Sequence, residues 1–289
     1  MEKLGIDMTV VKYSGESELF SEEKLARSLL NSGVDDRQLE SILSGIRSDI
    51  YEGITTKKLF QIATKWMKKY APSSVPRYKL KAAIHKLGSL GFRSFISELL
   101  KYQGFEVMTK LTIKGRCITH EIDLVAEKAN QHFIIGCKFH NRPGHKADVK
   151  VPLYINSRFR DVEFSWRNLK GHRDKFHQGW VVTNGKFTTD AIAYGKCAGL
   201  HMISWDYPEG DSLKDMISEY GLHPVTSLST LTRAQKSELL SRGIVLCRTI
   251  CDHPDVLGQF FPENTNSYRI LKEAHGTAGC IQTTPLLPI

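Results

Sequence analysis

The sequence predicts an α+β protein of several domains, and three observations carry that reading. Its 289 residues exceed what one domain of about 100–200 residues usually holds. Residues 1–88 pattern as a small β-hairpin followed by amphipathic helices, and residues 229–289 as short helices alone. Between them, residues 89–228 alternate strand and helix, the pattern of an α/β layer.

In the first domain, TVVKYSGESELF reads as a hairpin turned at Gly15. Ser21 caps EEKLARSLLNSG, where Leu25, Leu29 and Leu30 recur at helical spacing and Gly33 ends the run. DDRQLESILSGIRSDIYEG is a second helix. Thr55 or Thr56 caps a third, KKLFQIATKWMKKY, which Pro72 stops. SVPRYKLKAAIHKLG is a fourth, with Pro76 tolerated in its first turn. No GxxxxGKS and no glycine-rich dinucleotide turn occurs, so P-loop hydrolysis is not expected.

The chemistry-bearing stretch is His120 to His140. EIDLVA and HFIIGCKF read as two strands joined by the polar turn EKANQ. Strand side chains alternate, so Glu121, Asp123 and Val125 share a face, and Gly136 shares one with Lys138. Pairing the strands puts Asp123 and Lys138 side by side. A carboxylate and a lysine so placed can hold a divalent metal and steer a water. A surface ion pair is the plainer reading of the same two residues. Around them, GSLGF reads as a hinge, FRSFISELLKYQ as an amphipathic helix, and HNRPGHKADVK as a basic loop suited to a DNA backbone. VPLYINSRFRDVEF is helical, Trp166 to His177 a basic spacer, GWVVTN a buried strand and LHMISWDYP a last strand. His120, His132, His140 and His145 show no metal-ligand spacing and read as structural.

FRSFISELLKYQGFEV, Asp123, Lys138, LYINSRFRD and GWVVTNGKFTTDAIAYGKCAGLHMISWDYP together resemble the Mrr-like restriction endonucleases of the PD-(D/E)xK superfamily, over roughly residues 90 to 228. That resemblance implies a restriction-endonuclease-like sheet and magnesium-dependent hydrolysis of DNA. Asp123 and the main-chain carbonyl of Cys137 would bind the metal, and Lys138 would orient the attacking water. Two positions depart from the family: Gly136 stands where it carries an acid or amide, and Arg93 where its helix usually carries glutamate. Glu98 or Glu121 could substitute for the lost ligand, and since magnesium usually needs only one or two carboxylates, the loss at Gly136 would weaken the site without abolishing it. The resemblance also implies a homodimer, since such enzymes often cut two strands with two sites.

VVKYSG, SEEKLARSL, EGITTKKL and the Tyr78-to-Leu87 helix resemble, in their order and spacing, the ATP-cone of ribonucleotide reductases. It implies a regulatory domain that binds ATP or dATP, with Lys12, Lys24, Thr55, Thr56 and Lys81 facing the nucleotide.

A formal charge of +9 suits a polyanion partner. Six cysteines form no CxxC, which fits reduced thiols in the cytoplasm. The start lacks an apolar signal core, and no run approaches the ~20 residues that span a bilayer, so a soluble protein without a membrane partner is expected. SELLSRGI and ILKEAHG loosely suggest hairpins that grip DNA phosphates. The sequence thus favours a nucleotide-regulated nuclease. The alternative is an inactive nuclease fold acting as a nucleotide-sensing DNA-binding or regulatory protein, which Gly136 and Arg93 support.

Overall fold

The computed structural model describes residues 8–13, 15–261 and 266–279. The chain divides into two compact units, residues 1–82 with 227–229, and residues 83–226 with 230–289.

In the first unit, β1 (Thr9–Val11) pairs antiparallel with β2 (Ser17–Leu19), as the hairpin reading expects. On its other side β1 pairs parallel with β3 (Ile54–Thr55), a two-residue strand too short to leave a periodic signal. Three helices follow the caps. Ser21 accepts from the Lys24 amide ahead of α1 (Glu22–Leu30), and Asp35 and Gln38 form a capping box on α2 (Asp36–Asp49). Thr55 accepts from the Lys58 amide ahead of α3 (Thr56–Tyr70). Leu29, Ile42, Ile46, Ile54, Ala63 and Met67 fill the core. Gly45 lets α2 meet α3, because a Cβ there would lie 2.3 Å from the Trp66 ring. The expected fourth helix is two pieces, α4 (Val75–Tyr78) and α5 (Leu80–His85), interrupted at Lys79.

The second unit opens with α6 (Gly88–Tyr102), so GSLGF is the first turn of a helix and not a hinge. Then come β4 (Glu106–Lys114), β5 (Thr119–Lys128) and β6 (Gln131–Lys138), paired antiparallel in sequence. The turn between β5 and β6 runs through Ala129 and Asn130, both with positive φ, the geometry of a two-residue hairpin. In β4, Lys110 also has φ +54 and drops out of the ladder between the Thr109–Leu124 and Leu111–Ile122 pairs, whose register continues across it. After a two-residue strand, β7 (Lys146–Ala147), the helix α7 (Lys150–Trp166) crosses to β8 (Phe176–Thr183), parallel to β6. β9 (Lys186–Phe187) pairs with β7, and α8 (Thr189–Cys197) leads to β10 (His201–Ile203), parallel to β8. The mixed sheet has the order β10-β8-β6-β5-β4. One face packs on α7, where Ile134 meets Phe159, Val162 and Trp166. On the other, Phe139 beyond β6 packs against Phe92 of α6 at 5.6 Å between ring centres.

Four further helices, α9 (Leu213–Tyr220), α10 (Arg233–Ser241), α11 (Cys247–Asp252) and α12 (Asp255–Phe260), precede α13 (Ser267–Ala278). Val225 donates to the Val245 carbonyl at 2.9 Å, and Glu273 of α13 takes the Thr230 amide at 2.8 Å. Among the described residues no helix is long and apolar enough to cross a membrane.

The segment read as a spacer holds a histidine cluster. His132, His172 and His177 surround Trp166, with ring centres about 5 Å apart. His132 Nε2 faces Glu127 at 2.8 Å and Lys175 at 2.9 Å, and its Nδ1 lies 3.2 Å from Nδ1 of His172. Burial, then the neighbouring charges, holds His172 and His177 below their ordinary range. Groups with depressed basicity stabilise the fold above the unfolded value of about 6.5 and lose that contribution as pH falls through it. Stability is therefore expected to drop between pH 7.5 and 5.5, and His172→Gln with His177→Gln to flatten the slope. Urea unfolding followed by tryptophan fluorescence at the two pH values checks this; an unchanged slope in the double variant overturns it.

Candidate functional site

A cleft of about 630 Å³ opens beside Asp123, lined from α6 by Leu90 and Arg93, from β4 by Lys110, from β5 by His120 to Asp123, and from α7 by Tyr154 and Arg158. The β5–β6 ladder ends at Leu124–Ile135. One residue beyond it, the Asp123 carboxylate takes the place of the ladder: Oδ2 accepts the Cys137 amide at 2.9 Å. Oδ1 accepts from the Arg93 guanidinium at 3.0 Å. With only 25% and 33% of the two side chains exposed, this pair is partly desolvated. Burial, then the Asp123 charge, pushes the Cys137 thiol well up and keeps it protonated.

The expected quartet is not assembled. Asp123 and the exposed Glu121 line the cleft. Glu98 does not; it pairs with Lys101 at 2.7 Å. Lys138 ends β6 exposed, beside Thr183 and outside the cleft lining, so Asp123 pairs with Arg93 and not with the lysine. The place of the motif acid is filled, because a Cβ on Gly136 would lie 1.8 Å from Cδ1 of Ile155 on α7. Among the described residues no three His, Cys, Asp or Glu side chains come together as a metal-holding group. A divalent metal at Asp123 would have to displace Arg93 from the carboxylate before it could use that oxygen. What the cleft offers is fixed positive charge: Arg93, Lys110 and Arg158 converge on it. Planar guanidinium forks and an ammonium are phosphate donors.

The basic loop after β6 is pinned. Asn184, fully buried, accepts from the His140 amide at 2.8 Å and donates back to the His140 carbonyl at 3.0 Å. Gly185 is required beside it, as a Cβ would lie 2.8 Å from the His145 carbonyl oxygen. The sequence reading passed over Asn184; the one local signal is the glycine that follows it.

In the first unit, Lys12 pairs with Glu18 at 2.8 Å, and Lys24 adds to the field that holds the Glu18 carboxyl below its usual range, after Lys12 itself. β1, β2 and α1 thus gather two of the five expected nucleotide contacts. The Thr55 oxygen is used as the α3 cap, which leaves its hydroxyl hydrogen to donate. Thr56 opens α3, and Lys81 lies in α5.

A family model described as AF1548-like, C-terminal, matches residues 223–276. An uncharacterized protein of Archaeoglobus fulgidus is 35% identical over 155 residues, 54% of this chain and 83% of its own. The crystal structure of a protein of unknown function, AF1548, is 31% identical and superposes with a TM-score of 0.54 over 65% of this chain and 96% of that one. Can2 from Sulfobacillus thermosulfidooxidans, solved with cyclic tetra-adenylate, is 12% identical with a TM-score of 0.34 over 71% of this chain and 64% of its own. Identity above 30% across nearly the whole of the AF1548 chain places this protein: it belongs to the AF1548-like family.

Proposed function

We propose that the Asp123 cleft grips the sugar-phosphate backbone of DNA without hydrolysing it, and that the first unit, as an ATP-cone, adjusts that grip on binding ATP or dATP. The observation that carries this reading is the Arg93–Asp123 pair at 3.0 Å, which puts a cation where a hydrolytic site needs a free anion. An arriving phosphate takes Arg93, and the net charge of +9 draws the polyanion in. In the first unit a nucleotide phosphate competes with Glu18 for Lys12 and Lys24.

A second reading has one observation in its favour. Asp123 and Glu121 share the cleft, so a phosphate that draws Arg93 away leaves two carboxylates for magnesium in an Mrr-like endonuclease, as a homodimer.

The test uses supercoiled plasmid with magnesium or manganese, with and without ATP and dATP, read for both retention and nicking. Wild type is expected to retain DNA without nicking it. Arg93→Gln is expected to bind roughly tenfold more weakly, the worth of a charged hydrogen bond of about 1.5–3 kcal/mol. ATP or dATP should shift the affinity in wild type and not in Lys24→Ala. Nicking by wild type that Asp123→Asn abolishes would replace this reading with the second.

A further inference from the structure

Beyond Ile118 the cleft continues into a second hollow, and the two share Ile118, His120, Tyr154 and Arg158. Its walls are the turn between β4 and β5 and the outer face of α7. We infer that this groove seats an unpaired nucleic-acid strand, with bases stacked on Tyr154 and Phe164 and phosphates held by Arg116 and Arg158. The inference rests on the reading of the neighbouring cleft as a nucleic-acid site and names the form of nucleic acid that enters it.

The first support is the pairing of exposed rings with arginines. Tyr154 is 62% exposed and Phe164 48%, and both line the groove. The Arg158 guanidinium sits over the Tyr154 ring at 5.2 Å, and that of Arg116 over Phe164 at 4.4 Å. Each ring therefore comes with a cation over it, the combination that takes a base and its adjoining phosphate. At a rise of about 1.5 Å per residue the rings stand about 15 Å apart along α7, room for several nucleotides.

The second support is that the groove is held rigid. Asp161 of α7 accepts the Cys117 amide at 2.8 Å, the Ile118 amide at 3.3 Å and faces His120 Nε2 at 2.8 Å. Its own carbonyl accepts the Arg116 amide at 3.0 Å. Gly115 is needed at the turn, since a Cβ would lie 2.0 Å from Asp161 Oδ2. This acid spends its acceptors on pinning the turn, and its single charge is outnumbered by Arg116 and Arg158 on the groove. The pinning fixes Arg116 over Phe164 before any ligand arrives, which lowers the ordering cost of binding.

Duplex DNA hides its base faces, so only an unpaired strand gains from the rings. The experiment measures fluorescence anisotropy of labelled oligothymidylate and of a duplex of equal length on the full chain, for wild type, Tyr154→Ala, Phe164→Ala and Arg93→Gln. Wild type should prefer the single strand. Each ring variant should weaken it roughly fivefold or more and leave the duplex unchanged. Both rings are exposed, so these variants keep the fold, which circular dichroism verifies. Ring variants that bind the single strand like wild type, while Arg93→Gln weakens DNA binding, overturn the groove and leave the cleft standing. Binding of neither DNA by wild type removes both.

Discussion

Gly136→Glu is expected to destabilise the sheet and not to restore a metal ligand. The sequence suggests the opposite, since an acid there completes the family motif. In the fold, the Cβ of any residue at 136 falls 1.8 Å from Cδ1 and 3.1 Å from Cγ1 of Ile155. Ile155 is buried among Val181, Leu200 and Met202 between α7 and the sheet, so its Cδ1 must turn aside within a packed layer to admit a side chain. Overpacking of this severity costs about 3 kcal/mol, which for a unit of this size lowers Tm by about 6–12 °C. Thermal unfolding followed by circular dichroism checks it. Gly136→Ala should show much of the same loss, because the clash begins at Cβ. Ile155→Ala in the Gly136→Glu background should recover part of it. A Gly136→Glu protein that melts with wild type would mean α7 yields to the new side chain.

Asn184→Ala should cost still more, about 4 kcal/mol. The residue is fully buried and closes a ring of hydrogen bonds with both backbone groups of His140, its amide nitrogen also lying 3.1 Å from Nδ1 of His85. Truncation strands a backbone donor and a backbone acceptor, at about 1–3 kcal/mol each, and adds a cavity. Asn184→Asp separates the terms, keeping the acceptor for the His140 amide and turning a repulsive oxygen toward its carbonyl. Urea unfolding gives the loss, and hydrogen exchange locates it, with protection falling first in the loop after β6. Retained protection there in Asn184→Ala would show that the β7–β9 pair holds the loop by itself.

What the sequence discloses here is what is local. The Ser21 cap, and the Thr55 cap as one of two adjacent threonines, were readable because donor and acceptor stand three residues apart. The order of helix, two paired strands, helix and buried strand was readable because GWVVTN and HFIIGCKF are continuous apolar runs. The site was half readable. Asp123 does line a cleft, and Arg93 stood out as the wrong charge, yet their pairing joins positions 30 apart. Asp161 acts on amides 44 positions earlier, and Ile155 fills a space that belongs to Gly136 on another element. Such meetings depend on how α6 and α7 settle on the sheet, which periodicity does not specify.

The left-handed Lys110 in β4 bears on self-association. β4 is the sheet's long outer strand, and its unpaired backbone is the natural template for a second copy. A residue with φ +54 at its centre interrupts the flat run of donors and acceptors, and the lysine there, with Lys114 at its end, repels the same strand of another chain. The opposite margin, β10, is three residues long. Both margins of the five-stranded sheet are thus guarded against continuation into the same sheet of a second chain.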